Sequence, residues 1–371
     1  MARAVIGVPS PATYDSGMVA LAHMPDPLTR KIVVHSAGSY DHLKLETSPV
    51  PAPGPGEVRI DVRAIGVNYA DAIVRMGLYA SAKEYVGWPI TPGFEVAGVV
   101  GAVGSGVTDL AVGDEVFAVT RFGGYATHVV VPRRLVFRRP ASISCEQAAA
   151  IPAVYMTAWY ALFELAHPRR GARVLVHSAA GGVGGALVQM AKIAGCEVTG
   201  VVGKTSKIAV AKAAGADHVI DKATQHLWRE AERFAPEGYD LILDANGVAT
   251  LGDSYKHLRR AGKLVVYGFH TMMPKTGGKP NWPKLALDYL RTPRFSPLEM
   301  TNSSHSVLAF NLSYLFDRDD LLAEGLGQIL RWLEAGTLVA PPVVTYPLAD
   351  VARAHADIES GNTVGKLVLI P

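Results

Sequence analysis

The chain has 371 residues and a net charge of +3, with 49% hydrophobic and 19% charged residues. This length allows two domains with separate cores, and the composition argues against disorder. The small net charge argues against nucleic acid as a partner, and no apolar run approaches the roughly 18 residues of a membrane span. The two cysteines, Cys145 and Cys196, exclude a disulfide framework and a multi-cysteine metal site, which favours a reducing compartment, the cytoplasm.

The first 28 residues contain short apolar pieces interrupted by proline and glycine. No sustained apolar core follows Arg3, so the pattern is not that of a secretory signal peptide. We expect residues 1–28 to form a flexible extension. The folded part is expected to begin near Arg30, where RKIVVHSAG predicts a strand.

Short strands punctuated by glycine and proline follow, between residues 29 and 152. They are typical of an antiparallel β domain with tight turns. Similar strands return near the C-terminus, so we expect residues 29–152 and 305–371 to form one domain that another domain interrupts. The segments that carry this pattern are EVRIDVRAIGV, EVAGVVGAVGSGV, GDEVFAVT, YATHVVVP, APPVVTYPL and GKLVLIP.

Strands and helices alternate between residues 153 and 304. Such alternation predicts right-handed crossovers and a parallel sheet. The expected fold class is α/β, with a doubly wound parallel sheet of Rossmann type at residues 153–304 beside the antiparallel β domain. The predicted strands of this sheet are RVLVHS, EVTGVV, HVID, DLILDA and KLVVYG.

A glycine-rich turn joins the first of these strands to a helix. Small residues there allow the backbone to approach a pyrophosphate, and the helix N-terminus presents N–H groups and a favourable dipole to it. Because strand, turn, helix and second strand occur in the right order, the segment predicts a dinucleotide site rather than a structural turn. The candidate residues are Ala179, Gly181, Gly182, Val183 and Gly184.

The acidic residue that usually ends the second strand of an NAD site is missing. Gly203 stands at this end, and Lys204, Ser206 and Lys207 follow it. An acid would repel a 2′-phosphate, whereas hydroxyl and ammonium groups bind one. The pattern therefore predicts NADPH as the cofactor in preference to NADH. The alternative is that the lysines only solvate an exposed helix start.

Two segments of the β domain complete a family pattern. AIGVNYADAIVRMGLY (64–79) and TPGFEVAGVVGAVGSGV (91–107), together with the glycine-rich turn, resemble the medium-chain dehydrogenase/reductase superfamily. The resemblance implies a GroES-like fold for the β domain. Asn68 and Phe94 stand where zinc alcohol dehydrogenases of this superfamily carry Cys and His, so we expect no metal site.

Within the superfamily, the chain is similar to the zinc-independent quinone oxidoreductase branch, which includes quinone reductases and enoyl-thioester reductases. NLSYLF (311–316) and the insert KPNWPKLALDYLRTPRF (279–295) are similar to segments of vesicle amine transport protein homologues. The resemblance implies hydride transfer to an electron-poor carbon of a small molecule, and a homodimer joined through the nucleotide domains. The alternatives are a cofactor-binding protein with little turnover and a structural role, and a zinc alcohol dehydrogenase, which Asn68 and Phe94 disfavour.

Three residues of the first segment are implied as catalytic by the resemblance. Asn68 matches an asparagine of the branch and Asp71 an aspartate, while Tyr79 has the spacing from Asn68 of a tyrosine that resembles the proton donor of enoyl reductases. Without a metal, hydrogen-bond donors must stabilise the developing oxygen charge, and a phenol can deliver a proton. The alternatives are that Asn68 holds a turn, Asp71 caps a helix and Tyr79 packs.

Further residues are implied around the nicotinamide. Thr157 matches a threonine near the nicotinamide ribose, and Lys366 matches a family lysine; a helix-face threonine and a surface charge are the alternatives. In parallel sheets, ligands bind at the carboxyl ends of the strands. The other candidates lie at such ends or in NLSYLF, and they are Asn246, Tyr267, Gly268, Phe269 and Asn311.

Overall fold

The computed structural model describes residues 28–371. The expected flexible extension lies outside the described residues, except for Leu28, which begins the first strand. The N-terminal elements are β1 (Leu28–Val33), β2 (Lys44–Pro49), β3 (Glu57–Val67), α1 (Tyr69–Arg75), α2 (Ala80–Tyr85), β4 (Glu95–Val103), β5 (Glu115–Val119), β6 (His128–Pro132), β7 (Val136–Arg138) and α3 (Cys145–Ala149).

Strands and helices then alternate, as the sequence predicts. The middle elements are α4 (Pro152–Trp159), β8 (Arg173–Val176), α5 (Gly182–Ile193), β9 (Glu197–Val202), α6 (Ile208–Ala213), β10 (His218–Asp221), α7 (Leu227–Phe234), β11 (Tyr239–Asp244), α8 (Leu251–Lys256), β12 (Leu258–Val266), α9 (Trp282–Arg291), α10 (Pro297–Ser303) and β13 (Ser306–Ala309). The last elements are α11 (Asp319–Glu334), β14 (Val343–Pro347), α12 (Val351–Glu359) and β15 (Lys366–Ile370).

The middle elements form a six-stranded sheet in the order β10-β9-β8-β11-β12-β13. All its strand pairs are parallel. Helices cover the sheet, so Val174, Leu175 and Val176 of the central strand β8 are all buried and read as one apolar run. Strand β13 belongs to this sheet although it follows residue 304, where the sequence places the domain boundary, because the insert that carries α9 and α10 interrupts the alternation before the last strand.

The other large sheet combines both ends of the chain in the order β14-β15-β3-β4-β5-β7, with β6 also paired to β3. Its pairs are antiparallel except for β14 with β15. Alternate residues of β3 point into the core, and Val58, Ile60 and Ala64 are fully buried. The predicted antiparallel sheet is therefore present and is built from segments at both ends of the chain.

Helix α2 contacts the segment that follows β13. Its Ser81 hydroxyl lies 2.6 Å from the Ser313 hydroxyl, and the Tyr85 hydroxyl donates to Asp317 Oδ2 at 2.7 Å. The partners lie on the 3-10 helix Leu312–Asp317, which follows β13. These polar contacts hold α2 against that segment.

Candidate active site

The glycine-rich turn has the geometry of an anion site. Strand β8 ends before Ser178, whose φ of 56° is unusual for a residue with a Cβ. A Cβ on Gly184 would lie 2.1 Å from the Ser178 carbonyl oxygen, so only glycine fits there. Among the described residues no side chain caps the N-terminus of α5, which begins at Gly182 after Gly181. Its first N–H groups are therefore available to a phosphate.

Near the end of β9 lies a cation that the sequence analysis missed, Lys222. A Cβ on Gly203 would lie 3.6 Å from Cε of Lys222, which follows the neighbouring strand β10. Lys222 has no ion-pair partner among residues 28–371, and burial, together with Lys275, lowers its pKa. Its position one residue past a parallel strand is a signal that could have identified it. Lys204 and Ser206 are exposed beside it.

Lys207 is bound within the protein. Its Nζ donates to the carbonyl oxygens of Gly361 at 2.8 Å and Thr363 at 2.7 Å, and burial lowers its pKa. These carbonyls belong to the segment before β15, so Lys207 joins the two domains. Lys204 has no such contact in the described part of the chain. The two lysines, which the sequence analysis gives the same role, therefore differ in their contacts.

The segments that follow β11 and β12 lie side by side at the carboxyl ends of these parallel strands. Asp244, fully buried, accepts hydrogen bonds from the backbone of Asn246 at 2.7 Å and Gly247 at 3.1 Å and fixes the turn between them. The side chain of Asn246 contacts the Ser178 hydroxyl of the glycine-rich turn at 3.4 Å. Tyr267 and Gly268 follow Val266, the last residue of the adjoining strand β12, and Phe269 is 40% exposed. The predicted strand-end residues therefore lie together.

Asn68 is held by two buried charged groups. Its Nδ2 donates to Glu95 Oε1 at 2.8 Å, and its Oδ1 accepts from Lys366 Nζ. Lys366 and Glu95 form an ion pair at 2.6 Å, with side chains 3% and 0% exposed. Lys366 is therefore not a surface charge; it fixes the orientation of the Asn68 amide. The other Glu95 oxygen accepts from the backbone of Ala153 at 2.7 Å.

The residue before Lys366 contacts the nucleotide turn. Gly365 forms an isolated parallel bridge with Gly181. Two consecutive residues of the C-terminal segment therefore connect the glycine-rich turn to Asn68. This connection joins the predicted cofactor site and the predicted catalytic asparagine through a single peptide unit.

Asp71 caps α1 and is fully buried. Its carboxylate accepts from the backbone of Asn68 at 2.8 Å, from the backbone of Gly93 at 2.9 Å and from the Tyr125 hydroxyl at 3.0 Å. Burial raises the pKa of Asp71 to about 7, while these three donors lower it. The Asp71 side chain thus caps the helix, the alternative role given in the sequence analysis, and also fixes the backbone at Asn68.

Beyond Tyr125 the hydrogen bonds continue into the β domain. His355 Nε2 lies 3.1 Å from the Tyr125 hydroxyl, and Arg75 Nη1 lies 3.1 Å from His355 Nδ1. Because Arg75 can only donate, His355 accepts at Nδ1 and carries its proton at Nε2. Arg75 also pairs with Glu359 at 2.8 Å, both side chains being fully buried. We call Asp71, Tyr125, His355, Arg75 and Glu359 the Asp71 cluster.

Tyr79 and Asn311, predicted separately, are in contact. The Tyr79 hydroxyl donates to Asn311 Oδ1 at 2.7 Å, and that oxygen also accepts from the backbone of Ser313 at 3.0 Å. The ring packs edge-on against Phe94 and Phe122, at 5.8 and 6.4 Å between centroids. Burial raises the pKa of Tyr79 to about 12, so the phenol is neutral at physiological pH.

Two remaining candidates lie in apolar or helical surroundings. The Thr157 hydroxyl donates to the Ala153 carbonyl at 2.7 Å, one turn earlier in α4, which is the helix-face arrangement. Phe94 is 6% exposed within a cluster of aromatic rings. Within residues 28–371, no group of three or more His, Cys, Asp or Glu side chains is placed to hold a metal ion. The absence of a zinc site stays a prediction.

Comparison with known proteins identifies the class. A family model described as alcohol dehydrogenase GroES-like domain matches residues 54–141, and one described as zinc-binding dehydrogenase matches residues 214–369. The chain belongs to the medium-chain dehydrogenase/reductase superfamily and is an oxidoreductase of that class, which confirms the predicted superfamily and fold.

Individual relatives narrow the comparison. The synaptic vesicle membrane protein VAT-1 homolog of Rattus norvegicus is 34% identical over 347 residues, which cover 93% of this chain and 85% of that protein. Escherichia coli quinone oxidoreductase, solved in complex with NADPH, superposes with a TM-score of 0.80 at 28% identity and covers 92% of this chain and 100% of its own. CurK enoyl reductase superposes with a TM-score of 0.79 at 26% identity, covering 92% and 99%. None of the helices in the described residues is long and apolar enough to span a membrane.

Proposed function

We propose that this protein is an NADPH-dependent, metal-free reductase of an activated double bond. The substrate is a quinone or an α,β-unsaturated carbonyl compound, a class that includes enoyl thioesters. The observation that carries the proposal is the peptide unit of Gly365 and Lys366, which contacts both the nucleotide turn and Asn68. It joins the glycine-rich turn to a half-buried amide donor. Quinone and enoyl reductases among the structural relatives support the same reaction class.

The residues fit NADPH at three places. The uncapped N-terminus of α5 would bind the pyrophosphate. The 2′-phosphate would be bound beside Gly203 by Lys204, Ser206 and Lys222. Lys207 would hold the backbone around these residues in place. The nicotinamide would lie at the strand ends, near Thr157, Asn246, Tyr267, Gly268 and Phe269. When bound, NADPH supplies the hydride.

Asn68 is the group best placed to polarise the substrate oxygen. One of its two amide protons is given to Glu95, and its oxygen is occupied by Lys366. The second amide proton remains for a carbonyl or quinone oxygen. Because the ion pair fixes the amide, Asn68 cannot rotate to present its oxygen. Asp71 has no exposed surface, so we assign it a positioning role through the backbone of Asn68.

Tyr79 is the proposed proton donor. A phenol with a pKa of about 12 keeps its proton until a stronger base forms next to it, and an enolate is such a base. In this structure the hydroxyl proton is directed to Asn311. Asn311 thus orients the phenol, and transfer requires the hydroxyl to turn from that amide to the substrate.

We further propose a cytoplasmic homodimer joined through the nucleotide domains. Both cysteines are free, which agrees with a reducing compartment. Strand β13 ends the parallel sheet, and its outer edge has no partner strand in the described part of the chain. An unpaired edge of this kind can extend into a second copy.

Steady-state oxidation of NADPH and of NADH, measured over a panel of quinones, enones and enoyl-CoA esters, tests the proposed reaction. We expect turnover with at least one substrate class and a preference for NADPH. Tight binding of NADPH without turnover on any member of the panel would instead support the binding-protein alternative.

A further inference from the structure

Helix α9 carries its large apolar side chains on the side that faces solvent. Trp282, Tyr289 and Leu290 are 64%, 74% and 71% exposed, and the helix contains no buried residue. At about 3.6 residues per turn these three positions and Ala286 fall on one face. A surface helix ordinarily turns such a face to the core.

The polar side of α9 is turned to the protein instead. Lys284 Nζ donates to the Thr271 carbonyl oxygen at 2.8 Å and pairs with Asp288, whose side chain is only 13% exposed. The helix is therefore attached by its polar groups. Leu298 of the following helix α10, at 79% exposed, extends the same kind of surface. The orientation leaves an apolar strip without a covering element in residues 28–371.

The strip lies in a basic segment. Residues 275–299 contain five basic and two acidic residues, and the resulting +3 equals the net charge of the entire chain. One acid, Asp288, is paired with Lys284. Within the described residues, four of these cations have no ion-pair partner. They are Lys275, Lys279, Arg291 and Arg294.

We propose that α9 is a surface anchor that lies in the headgroup region of an anionic lipid bilayer. Exposed Trp, Tyr and Leu side chains with flanking Lys and Arg are the composition of helices that lie in a membrane interface. The apolar face enters the acyl boundary, and the unpaired cations meet lipid phosphates and carboxylates. The anchor lies on the surface and spans nothing.

Charge decides between this occupant and a second copy of the chain. A two-fold contact through α9 would place the same cations opposite one another, with only two acids per chain to offset them. An anionic membrane offers complementary charge at every position. The position of α9 beside the turn His270–Met272, which follows Phe269, puts the anchor next to the proposed nicotinamide site.

Co-sedimentation with vesicles tests the anchor. The full chain is mixed with vesicles of phosphatidylcholine alone or of phosphatidylcholine with phosphatidylserine. We expect binding to the anionic vesicles that weakens with salt. The pair Trp282→Ser and Leu290→Ser should lower it about 10-fold or more, because two buried apolar side chains are lost. The pair Arg291→Gln and Arg294→Gln should lower it about 25-fold, at roughly 1 kcal/mol per cation.

Matched changes elsewhere on the surface serve as controls. Val112→Ser, at a side chain 68% exposed, and Lys44→Gln, at an exposed lysine, should leave vesicle binding unchanged. No binding to either vesicle, equal binding to both, or equal loss in the control variants would overturn the anchor. So would analytical ultracentrifugation in which the Trp282 and Leu290 changes dissociate a dimer, since the face would then belong to a second copy. NADPH oxidation without vesicles should be the same in all variants, which separates this test from that of the proposed reaction.

Discussion

Two polar regions of the molecule differ in how their charges are paired. In the Asp71 cluster the charged groups, Asp71, Arg75 and Glu359, are buried and hydrogen-bonded within the protein. At the rim formed by Gly203, Lys204, Ser206 and Lys222, no carboxylate pairs with either lysine in the part of the chain that the structure describes. The donors of the first region are buried and out of reach of a ligand, whereas the lysines of the second region are not paired. Paired groups position the site, whereas unpaired groups are available to bind the cofactor.

Tyr79 is an exception to this contrast, because its hydroxyl is hydrogen-bonded within the protein and is also proposed to react. Tyr79→Phe removes only that hydroxyl. We expect kcat to fall about 10²- to 10⁴-fold on the preferred substrate, while NADPH affinity stays the same. Single-turnover hydride transfer and NADPH titration measure the two effects.

Tyr85→Phe is the matched control, since it removes the neighbouring hydroxyl of α2 that binds Asp317. A fall in kcat of less than about threefold for Tyr79→Phe would make Tyr79 a wall of the pocket. Quinones, whose reduced oxygens solvent protonates readily, would then be the preferred substrates.

Breaking the paired region should cost stability. Arg75→Met leaves Glu359 buried without its ion-pair partner, and we expect the free energy of unfolding to fall by about 3–5 kcal/mol. Denaturant unfolding measures the loss. Adding Glu359→Gln removes the stranded charge and should recover part of it; a single variant as stable as the wild type would contradict the role of the pair.

The unpaired region should respond in cofactor choice instead. Lys222→Ala should weaken NADPH about 10- to 150-fold, the range of a lost charge-assisted contact, and leave NADH nearly unaffected. Lys207→Ala is the matched control, because its ammonium binds carbonyl oxygens of the other domain. Loss of the NADPH preference on changing Lys207 but not Lys222 would reverse the assignment of the two lysines.

Lowering the pH should show the contribution of His355 to the stability of the protein. Burial and Arg75 lower its pKa to about 3, against 6.5 for a free histidine, so the unfolded chain binds the extra proton first. Its contribution to stability is therefore full above pH 6.5 and is lost as the pH falls from 6.5 toward 3. Asp71 acts in the opposite sense, since its raised pKa favours the folded state as the pH falls from 7 toward 3.8.

Replacing the histidine separates these opposing effects. His355→Asn should change the slope of unfolding free energy against pH by at most about 1.4 kcal/mol per pH unit between pH 6.5 and 4. Val112→Ser, at a side chain 68% exposed that does not titrate, should leave the slope as it is. If the free energy of unfolding depends on pH in the same way in the wild type and in His355→Asn, the imidazole does not control the loss of stability in acid.

The smallest expected effect is that of metal removal. Asn68 is occupied by Glu95 and Lys366, and Phe94 packs among aromatic rings, so neither position offers a zinc ligand. Dialysis against a chelator should leave activity and melting temperature unchanged. Stoichiometric zinc that is lost together with activity would require a different site.

The sequence predicts what depends on local pattern. Strand alternation and the glycine-rich turn placed both sheets and the start of α5, because period and small residues act over a few positions. Contacts between distant residues were not predictable: Lys366 joins Asn68 across 298 positions, and Lys207 binds a carbonyl 154 positions away. The sequence also gives no sign that α9 faces outward, since an amphipathic period does not say which side meets the core.

The peptide unit of Gly365 and Lys366 has a kinetic consequence. Because one neighbour contacts the nucleotide turn and the other holds Asn68, a phosphate that steadies the turn also steadies the amide that receives the substrate. We expect an ordered reaction in which the cofactor enters first and the oxidised cofactor leaves last. Product inhibition by NADP⁺ would then be competitive with NADPH at every substrate concentration.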